Sequence, residues 1–151
     1  MEYEHRQTAF VIIVPITILC MIAVAILPAY NALQHPTLTV VIAFLVAMAL
    51  FYDLKVKISH NTILCSFGIG LIQRRIPISE IAEAKTVQNP WYAGWGIRWL
   101  PGQYWMWNVS GLQAVELIFK DGRRFRIGTD EPEKLASAIQ MNLSLTSQAG
   151  N

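Results

Sequence analysis

Charged residues are scarce in this sequence. Asp, Glu, Lys and Arg make up 15% of the 151 residues, whereas hydrophobic residues make up 54%; a typical soluble domain has about 25% charged residues. With a net charge of only +2, the chain lacks the dense basic face that nucleic-acid binding requires, so we expect no nucleic acid among its partners. The scarcity of charge favours a membrane protein.

Residues that carry out catalysis or bind metals are also sparse. The two cysteines, Cys20 and Cys65, lie far apart, and neither has a second Cys or a His at metal-ligand spacing. We therefore predict two buried thiols rather than a disulfide or a zinc site. The sequence has no HExxH motif, no GxxxxGKS/T phosphate loop and no His near a Ser or Cys that it would activate. We expect no enzyme activity, no catalytic residue, no metal and no cofactor.

Two long segments contain no charged residue. Residues 8–27 are uncharged throughout, and at about 1.5 Å per residue a helix of this length spans the roughly 30 Å of a bilayer core. Residues 37–52 form a second uncharged segment. A cleaved signal peptide is the alternative for the first segment, but the acidic Glu2 and Glu4 that precede it are not typical of export signals. We predict two transmembrane helices.

Positively charged residues set the expected orientation of this transmembrane helical hairpin, which we predict over residues 1–53. Arg6 lies before its first helix, Lys55 and Lys57 follow its second, and the connecting turn at 28–36 has neither Lys nor Arg. Because the cytoplasmic flanks of membrane helices carry the excess of Lys and Arg, both termini are predicted to be cytoplasmic.

The hydrophobic pattern changes to a period of two after the second apolar segment. In "LKVKI", Leu54, Val56 and Ile58 alternate with two lysines, which is typical of a strand with one buried face. Further strands are predicted at "TILCSF" and "LIQRRIPI", with a turn at His60–Asn61. The segment "EIAEAKTV" is compatible with either a strand or a helix. These segments begin a β domain that we predict over residues 54–145.

The clearest local pattern is a β-hairpin near the end of this domain. "AVELIFK" places Val115, Leu117 and Phe119 on one face, Asp121–Gly122 is a favoured two-residue turn, and "RRFRI" returns as the second strand.

An amphipathic helix is predicted directly after the hairpin. Asp130 is its expected N-cap, with Pro132 in the first turn and Glu133 three residues after the cap. The apolar stripe of this helix consists of Leu135, Ala138, Ile139 and Leu143. The small polar tail that follows the helix, at 146–151, is expected to be disordered.

Several of these segments together resemble a known family. The two apolar helices, "ISEIAEAK", "WYAGWGIRW" and above all "VSGLQAVELIFKDGRRFRIGTDEPEKLASAI" are similar to the bacterial pleckstrin-homology-like (PH-like) domain proteins with a two-helix membrane anchor. The resemblance implies an α+β membrane protein in which a PH-like antiparallel β-barrel or sandwich is capped by a C-terminal helix. It implies a multi-pass protein of the bacterial cytoplasmic (inner) membrane and assigns no activity. The region after the first predicted strand lacks arginine, so we expect no phosphoinositide site.

Every tryptophan of the chain lies in "NPWYAGWGIRWLPGQYWMWN". Glycine and proline predict a loop here rather than a regular strand. Three interpretations remain open: the rings cover their own sheet, they rest on the membrane surface, or they receive a partner protein. The candidate membrane-interface or partner-binding residues are Trp91, Tyr92, Trp95, Arg98, Trp99, Tyr104, Trp105 and Trp107.

Arginines form a second candidate site. They are compatible with an anion-binding patch or with a solvated strand face: Arg74, Arg75, Arg123, Arg124 and Arg126. The predicted function is a membrane-anchored binding module that holds a protein or lipid partner at the cytoplasmic membrane face without catalysis. The expected partners are membrane lipid, a protein or a second copy of the chain. The alternative is an accessory structural subunit of a larger membrane transport or stress-response complex.

Overall fold

The computed structural model describes residues 2–26, 34–59 and 61–149 of the chain. It shows an α+β protein with two β-sheets. The first sheet consists of β1 (Tyr3–Thr8), β2 (Asp53–Ser59), β3 (Thr62–Phe67) and β4 (Ile72–Pro77). The second sheet consists of β5 (Ile81–Gln88), β6 (Gly96–Leu100), β7 (Tyr104–Asn108), β8 (Gln113–Phe119) and β9 (Arg124–Gly128). The α-helices of the described residues are α1 (Phe10–Ile26), α2 (Gln34–Phe51) and α3 (Pro132–Ala149).

The first sheet is antiparallel, with the spatial order β1-β2-β3-β4. Leu54, Val56 and Ile58 of β2 are buried in the core, which confirms the strand predicted from their alternation with lysine. Asn61 has a positive φ of 64° between β2 and β3, as turns require and as Asn tolerates. His60, the other residue of the predicted turn, lies outside the described residues.

The N-terminal residues form a strand that the sequence patterns did not predict. β1 pairs antiparallel with β2 from Tyr3 opposite Ile58 to Thr8 opposite Asp53. Both α1 and α2 are therefore inserted between two neighbouring strands of one sheet. The backbone N–H of Ala9 donates a 2.9 Å hydrogen bond to the carbonyl of Tyr52, so the two ends of the insertion are held together.

The predicted transmembrane hairpin over residues 1–53 is wrong. In the described ranges, no helix combines the length and apolar character that a membrane crossing requires. α1 has 17 residues, about 26 Å of helix against roughly 30 Å of hydrocarbon, and α2 begins with the polar sequence "QHPT". The membrane class and the multi-pass inner-membrane location are wrong for the same reason. The cytoplasmic placement of both termini, which follows only from that hairpin, loses its basis. Of the predicted connecting turn at 28–36, residues 28–33 lie outside the described part of the chain, and residues 34–36 belong to α2.

The second sheet has the spatial order β5-β8-β9-β7-β6. The predicted hairpin is confirmed: β8 and β9 pair antiparallel, with Leu117 opposite Phe125. The segment "EIAEAKTV" belongs to the strand β5, which resolves the alternative in favour of a strand. β7 runs parallel to β9, and its other neighbour is β6. The Trp-rich segment therefore contributes two strands, where the sequence predicted a loop.

α3 covers one part of the core, and its start differs slightly from the prediction. The N–H of Leu135 donates a 3.1 Å hydrogen bond to the carbonyl of Glu131, so Glu131 occupies the N-cap position before Pro132. The predicted cap, Asp130, instead lies 2.5 Å from Nε2 of His5 on β1. Leu135, Ala138 and Ile139 are buried, as the predicted apolar stripe requires. The helix continues to Ala149, so the predicted disordered tail falls partly within it and partly on residues 150 and 151, which lie outside the described residues.

The two sheets share one hydrophobic core. Phe67 of the first sheet and Trp107 of the second have ring centroids 5.1 Å apart, and Trp107 meets Phe125 edge to face at 6.0 Å. Cys65 is completely buried beside them, and desolvation raises the pKa of its thiol to about 12. Cys20 is a free, partly exposed thiol. The core thus sits between the sheets, with β4 and β6 as two of the sheet edges.

Candidate binding groove

The Trp-rich segment begins with a short 3₁₀ turn and continues as an antiparallel strand pair. The turn, Trp91–Ala93, is followed by Gly94 with a positive φ of 67°. β6 then pairs with β7 such that Trp99 lies opposite Trp105. Gly102 has a positive φ of 70° in the connection, a conformation that glycine adopts without steric cost.

Two of the predicted aromatic residues are buried. Trp107 belongs to the main core between the sheets, and Tyr104 packs with Met106, Ala93 and Leu100 in a separate small cluster. Both side chains stabilise the fold. Trp107 is not available to a partner, whereas the small exposed part of Tyr104, 5% of its area, borders a surface groove.

Trp95 and Arg98 are bonded to nearby backbone groups. The indole N–H of Trp95 donates a 3.2 Å hydrogen bond to the carbonyl of Gly111, and Nε of Arg98 donates one of 3.2 Å to the carbonyl of Trp95. The pair connects the 3₁₀ turn region to the β7–β8 loop.

Five aromatic side chains of the segment are exposed, and four of them, all but Trp95, form two pairs. Trp91 and Tyr92, 79% and 68% exposed, meet edge to face with centroids 6.1 Å apart. Trp99 and Trp105, 59% and 45% exposed, are stacked with centroids 6.2 Å apart and an interplanar angle of 29°. Folded proteins normally bury most of the area of a tryptophan, so these rings form an unusually apolar surface.

The stacked tryptophans line a groove together with three of the predicted arginines. The groove has a volume of about 290 Å³ and forms where β4, the β6–β7 connection and the β8–β9 turn approach one another. We call it the arginine–tryptophan groove. Its principal side chains are Arg74, Trp99, Tyr104, Trp105, Arg123 and Arg124. The aromatic set and the basic set, which the sequence presents as two separate candidates, thus meet in one place.

Positive charge in the groove is only partly neutralised. Arg123 pairs with Asp121 at 2.6 Å. Arg74 and Arg124 take part in no ion pair within the described residues. The guanidinium of Arg74 lies 4.4 Å from the ring centroid of Phe125, and burial together with the nearby charge of Arg123 lowers the pKa of Arg74. The groove therefore presents partly desolvated cations beside aromatic rings.

The other two predicted arginines lie elsewhere. Nε of Arg126 donates a 2.8 Å hydrogen bond to Glu116, and its guanidinium lies 3.7 Å from the ring centroid of Tyr104. Arg126 therefore serves a structural role on the second sheet. Arg75 is exposed on β4 and, by strand alternation, points to the side opposite Arg74.

Besides Gly102, two further groove residues were not candidates on sequence grounds. Gln103 lies in the β6–β7 connection and Phe119 at the end of β8. Phe119 was predicted only as an inward-facing strand residue, and no motif distinguishes Gln103. In the ranges that the structure describes, no cluster of three His, Cys, Asp or Glu side chains is suited to hold a metal ion.

Comparisons with known proteins give no family assignment. No protein-family model matches the chain, and no curated protein matches it either. The resemblance to bacterial PH-like proteins therefore stays a prediction.

Proposed function

We propose that this protein is a non-catalytic binding module that holds a protein partner through the exposed aromatic surface of its second sheet. The observation that carries the proposal is the exposure of large rings on one segment: Trp91, Tyr92, Trp99 and Trp105 are between 45% and 79% exposed, and Trp95 is 37% exposed. The fold buries the rings of Tyr104 and Trp107. The other rings are therefore not exposed merely because the core is too small to hold aromatic residues.

The chemistry of the surface favours a protein partner. Trp, Tyr and Arg are the residues that most often dominate the energy of protein interfaces, because each offers a large contact area with few rotatable bonds. Trp and Arg line the groove together, and Tyr92 is exposed beside Trp91. An exposed apolar patch of this kind marks an interaction site more often than a neutral surface.

Photocrosslinking in intact cells tests the proposal. We would place p-benzoylphenylalanine at Trp99 or Trp91 of the full chain, and at Glu83, an exposed residue of β5, as the matched control. The expected result is the same discrete protein adduct from positions 99 and 91, identified by mass spectrometry, and none from position 83. Binding of the purified partner should then be lost in Trp99→Ala. Adducts formed with lipid alone, or equally from the control position, would refute a protein-binding surface here.

A second candidate function is an accessory subunit of a larger complex. It is favoured by the exposed apolar side chains of the inserted helices, among them Phe10, Leu19, Met21, Ile42 and Leu45. A surface of this composition is typical of a permanent interface. The same crosslinker at Leu19 separates the two functions: a stable adduct at position 19 with none at 99 would favour the subunit.

A further inference from the structure

We infer that the arginine–tryptophan groove recognises an extended, carboxylate-rich segment of the partner protein, with acidic side chains at Arg74 and Arg124 and an apolar side chain against Trp99 and Trp105. The inference rests on the proposed function and specifies the chemistry of the partner.

The charge distribution of the groove selects an anion. None of the side chains that line it is acidic, and the carboxylate of Asp121 is already engaged by Arg123. Arg74 is half-buried with an aromatic ring rather than a carboxylate beneath it. A guanidinium that has lost part of its hydration gains most from a carboxylate that hydrogen-bonds with two oxygens at once.

The aromatic wall adds an apolar requirement. Trp99 and Trp105 stack on each other, yet both remain about half exposed. An isolated small anion covers neither ring, whereas an acidic peptide with an apolar residue between its carboxylates covers both. At about 290 Å³, the groove is at the lower limit for a drug-sized ligand and better suited to a few side chains of a peptide.

The strand next to the groove favours an extended peptide. β6 lies at the edge of its sheet, and in the described part of the chain β7 is its only neighbour. One edge of β6 therefore presents backbone N–H and C=O groups without a strand partner. An extended segment pairs with such an edge through main-chain hydrogen bonds while its side chains enter adjacent pockets.

Selection of peptides from a random display library on the purified full chain tests this inference. The expected result is enrichment of sequences in which Asp or Glu flanks an apolar residue. A synthetic peptide of the enriched sequence should bind Arg74→Gln/Arg124→Gln roughly 10- to 100-fold more weakly than the unaltered chain, because two charged contacts are lost. Its affinity should also fall as the salt concentration rises.

Arg75→Gln is the matched control, because Arg75 neighbours Arg74 in sequence but points away from the groove. It removes the same charge, and we expect it to change the affinity less than twofold. Arg124→Gln alone, at an exposed position, preserves the test if the double variant does not fold. Equal losses in Arg75→Gln and Arg124→Gln would overturn the inference, because they would indicate only a general effect of net charge.

The outcomes also separate this inference from the proposed function. Enriched peptides without acidic residues, whose binding is lost in Trp99→Ala, would overturn the inference while the binding module stands. No enrichment, together with no protein adduct at position 99 in the crosslinking experiment, would overturn both. Binding of inorganic phosphate or of phosphatidylserine vesicles that depends on Arg74, without any acidic peptide, would overturn the inference in favour of a phosphate ligand.

Discussion

Replacement of Gly128 by Ala tests how closely the strands that carry the groove are packed. Gly128 ends β9 beside Asn108 at the end of β7. A Cβ atom at position 128 would lie 2.6 Å from Cγ and 2.8 Å from Cβ of Asn108, and closer still to Oδ1. Gly128 has no positive φ, so the expected cost is steric and not a matter of backbone conformation.

The surroundings of Asn108 determine the magnitude of this effect. Its side chain is completely buried and donates a 3.0 Å hydrogen bond from Nδ2 to the carbonyl of Gly111. Overpacking a core costs about 1–3 kcal/mol, and displacing the Asn108 side chain would forfeit a hydrogen bond worth about 1 kcal/mol. We expect Gly128→Ala to lower the free energy of unfolding by about 3 kcal/mol, which corresponds to roughly 6–12 °C in Tm for a domain of this size.

A double-mutant cycle with Asn108→Gly identifies the cause. That second substitution removes all three atoms that the new methyl group would meet. In its presence Gly128→Ala should cost about 1 kcal/mol or less, which gives a coupling of about 2 kcal/mol. Urea denaturation of the four proteins, followed by circular dichroism, provides the measurement.

Gly122→Ala is a useful comparison in this cycle. A Cβ at Gly122 would meet no atom within 4 Å, but its φ is +85°, so its cost arises from the backbone and should be the same with or without Asn108. If the effects of Gly128→Ala and Asn108→Gly simply add, or if Gly128→Ala costs less than about 1 kcal/mol, the steric explanation is refuted.

Two further predictions concern buried ionisable groups. Burial raises the pKa of the Cys65 thiol from 9.0 to about 12. The unfolded chain therefore releases this proton at a lower pH than the folded chain does. Between pH 9 and 12, the free energy of unfolding should fall by about 1.4 kcal/mol per pH unit. From pH 8 to 10.5 we expect the free energy of unfolding of the unaltered chain to fall by about 2 kcal/mol more than that of Cys65→Ala, as measured by denaturant unfolding; equal losses in both proteins would contradict it. The buried carboxylate of Glu116, which is 2% exposed, pairs with Arg126 at 2.8 Å and with Lys85 at 3.6 Å. Glu116→Leu alone should lower the free energy of unfolding by about 3 kcal/mol, because it leaves buried positive charge unpaired. The double variant Glu116→Leu/Arg126→Leu should recover at least half of that loss. Thermal unfolding measures both, and a double variant no more stable than the single one would show that unpaired charge is not the cause.

Local patterns in the sequence were sufficient for much of the second sheet and its helix. The β8–β9 hairpin was predictable because the turn Asp121–Gly122 and the alternation around it act over neighbouring residues. α3 was predictable from its apolar stripe for the same reason. Its N-cap differed because His5, distant in sequence, attracts Asp130, and such a partner leaves no local signal.

The structure predicted for the N-terminal half was wrong because its uncharged composition is a stronger signal than the weak alternation of residues in β1. β1 alternates between more exposed Glu4 and Arg6 and more buried His5 and Gln7, but its buried positions are polar and do not resemble a hydrophobic strand face. The uncharged segments on either side of the helix connection resemble transmembrane spans because they are long and contain no charged residue. Their placement between β1 and β2 depends on pairing across the whole insertion, which no local pattern reveals.

The groove could not be predicted from the sequence because its parts are distant along the chain and each has an ordinary local explanation. Arg74 lies on β4 and Arg124 on β9, and each is a partly or fully exposed polar residue of its own strand. Only the packing of the two sheets brings Arg74 over Phe125 and beside the stacked tryptophans. The parallel pairing of β7 with β9, with Trp105 opposite Phe125, then fixes the aromatic wall relative to the arginines. The close approach of Gly128 to Asn108 lies on this same strand pair, so a variant that separates the two strands should weaken ligand binding in the groove while the aromatic and basic residues themselves remain unchanged.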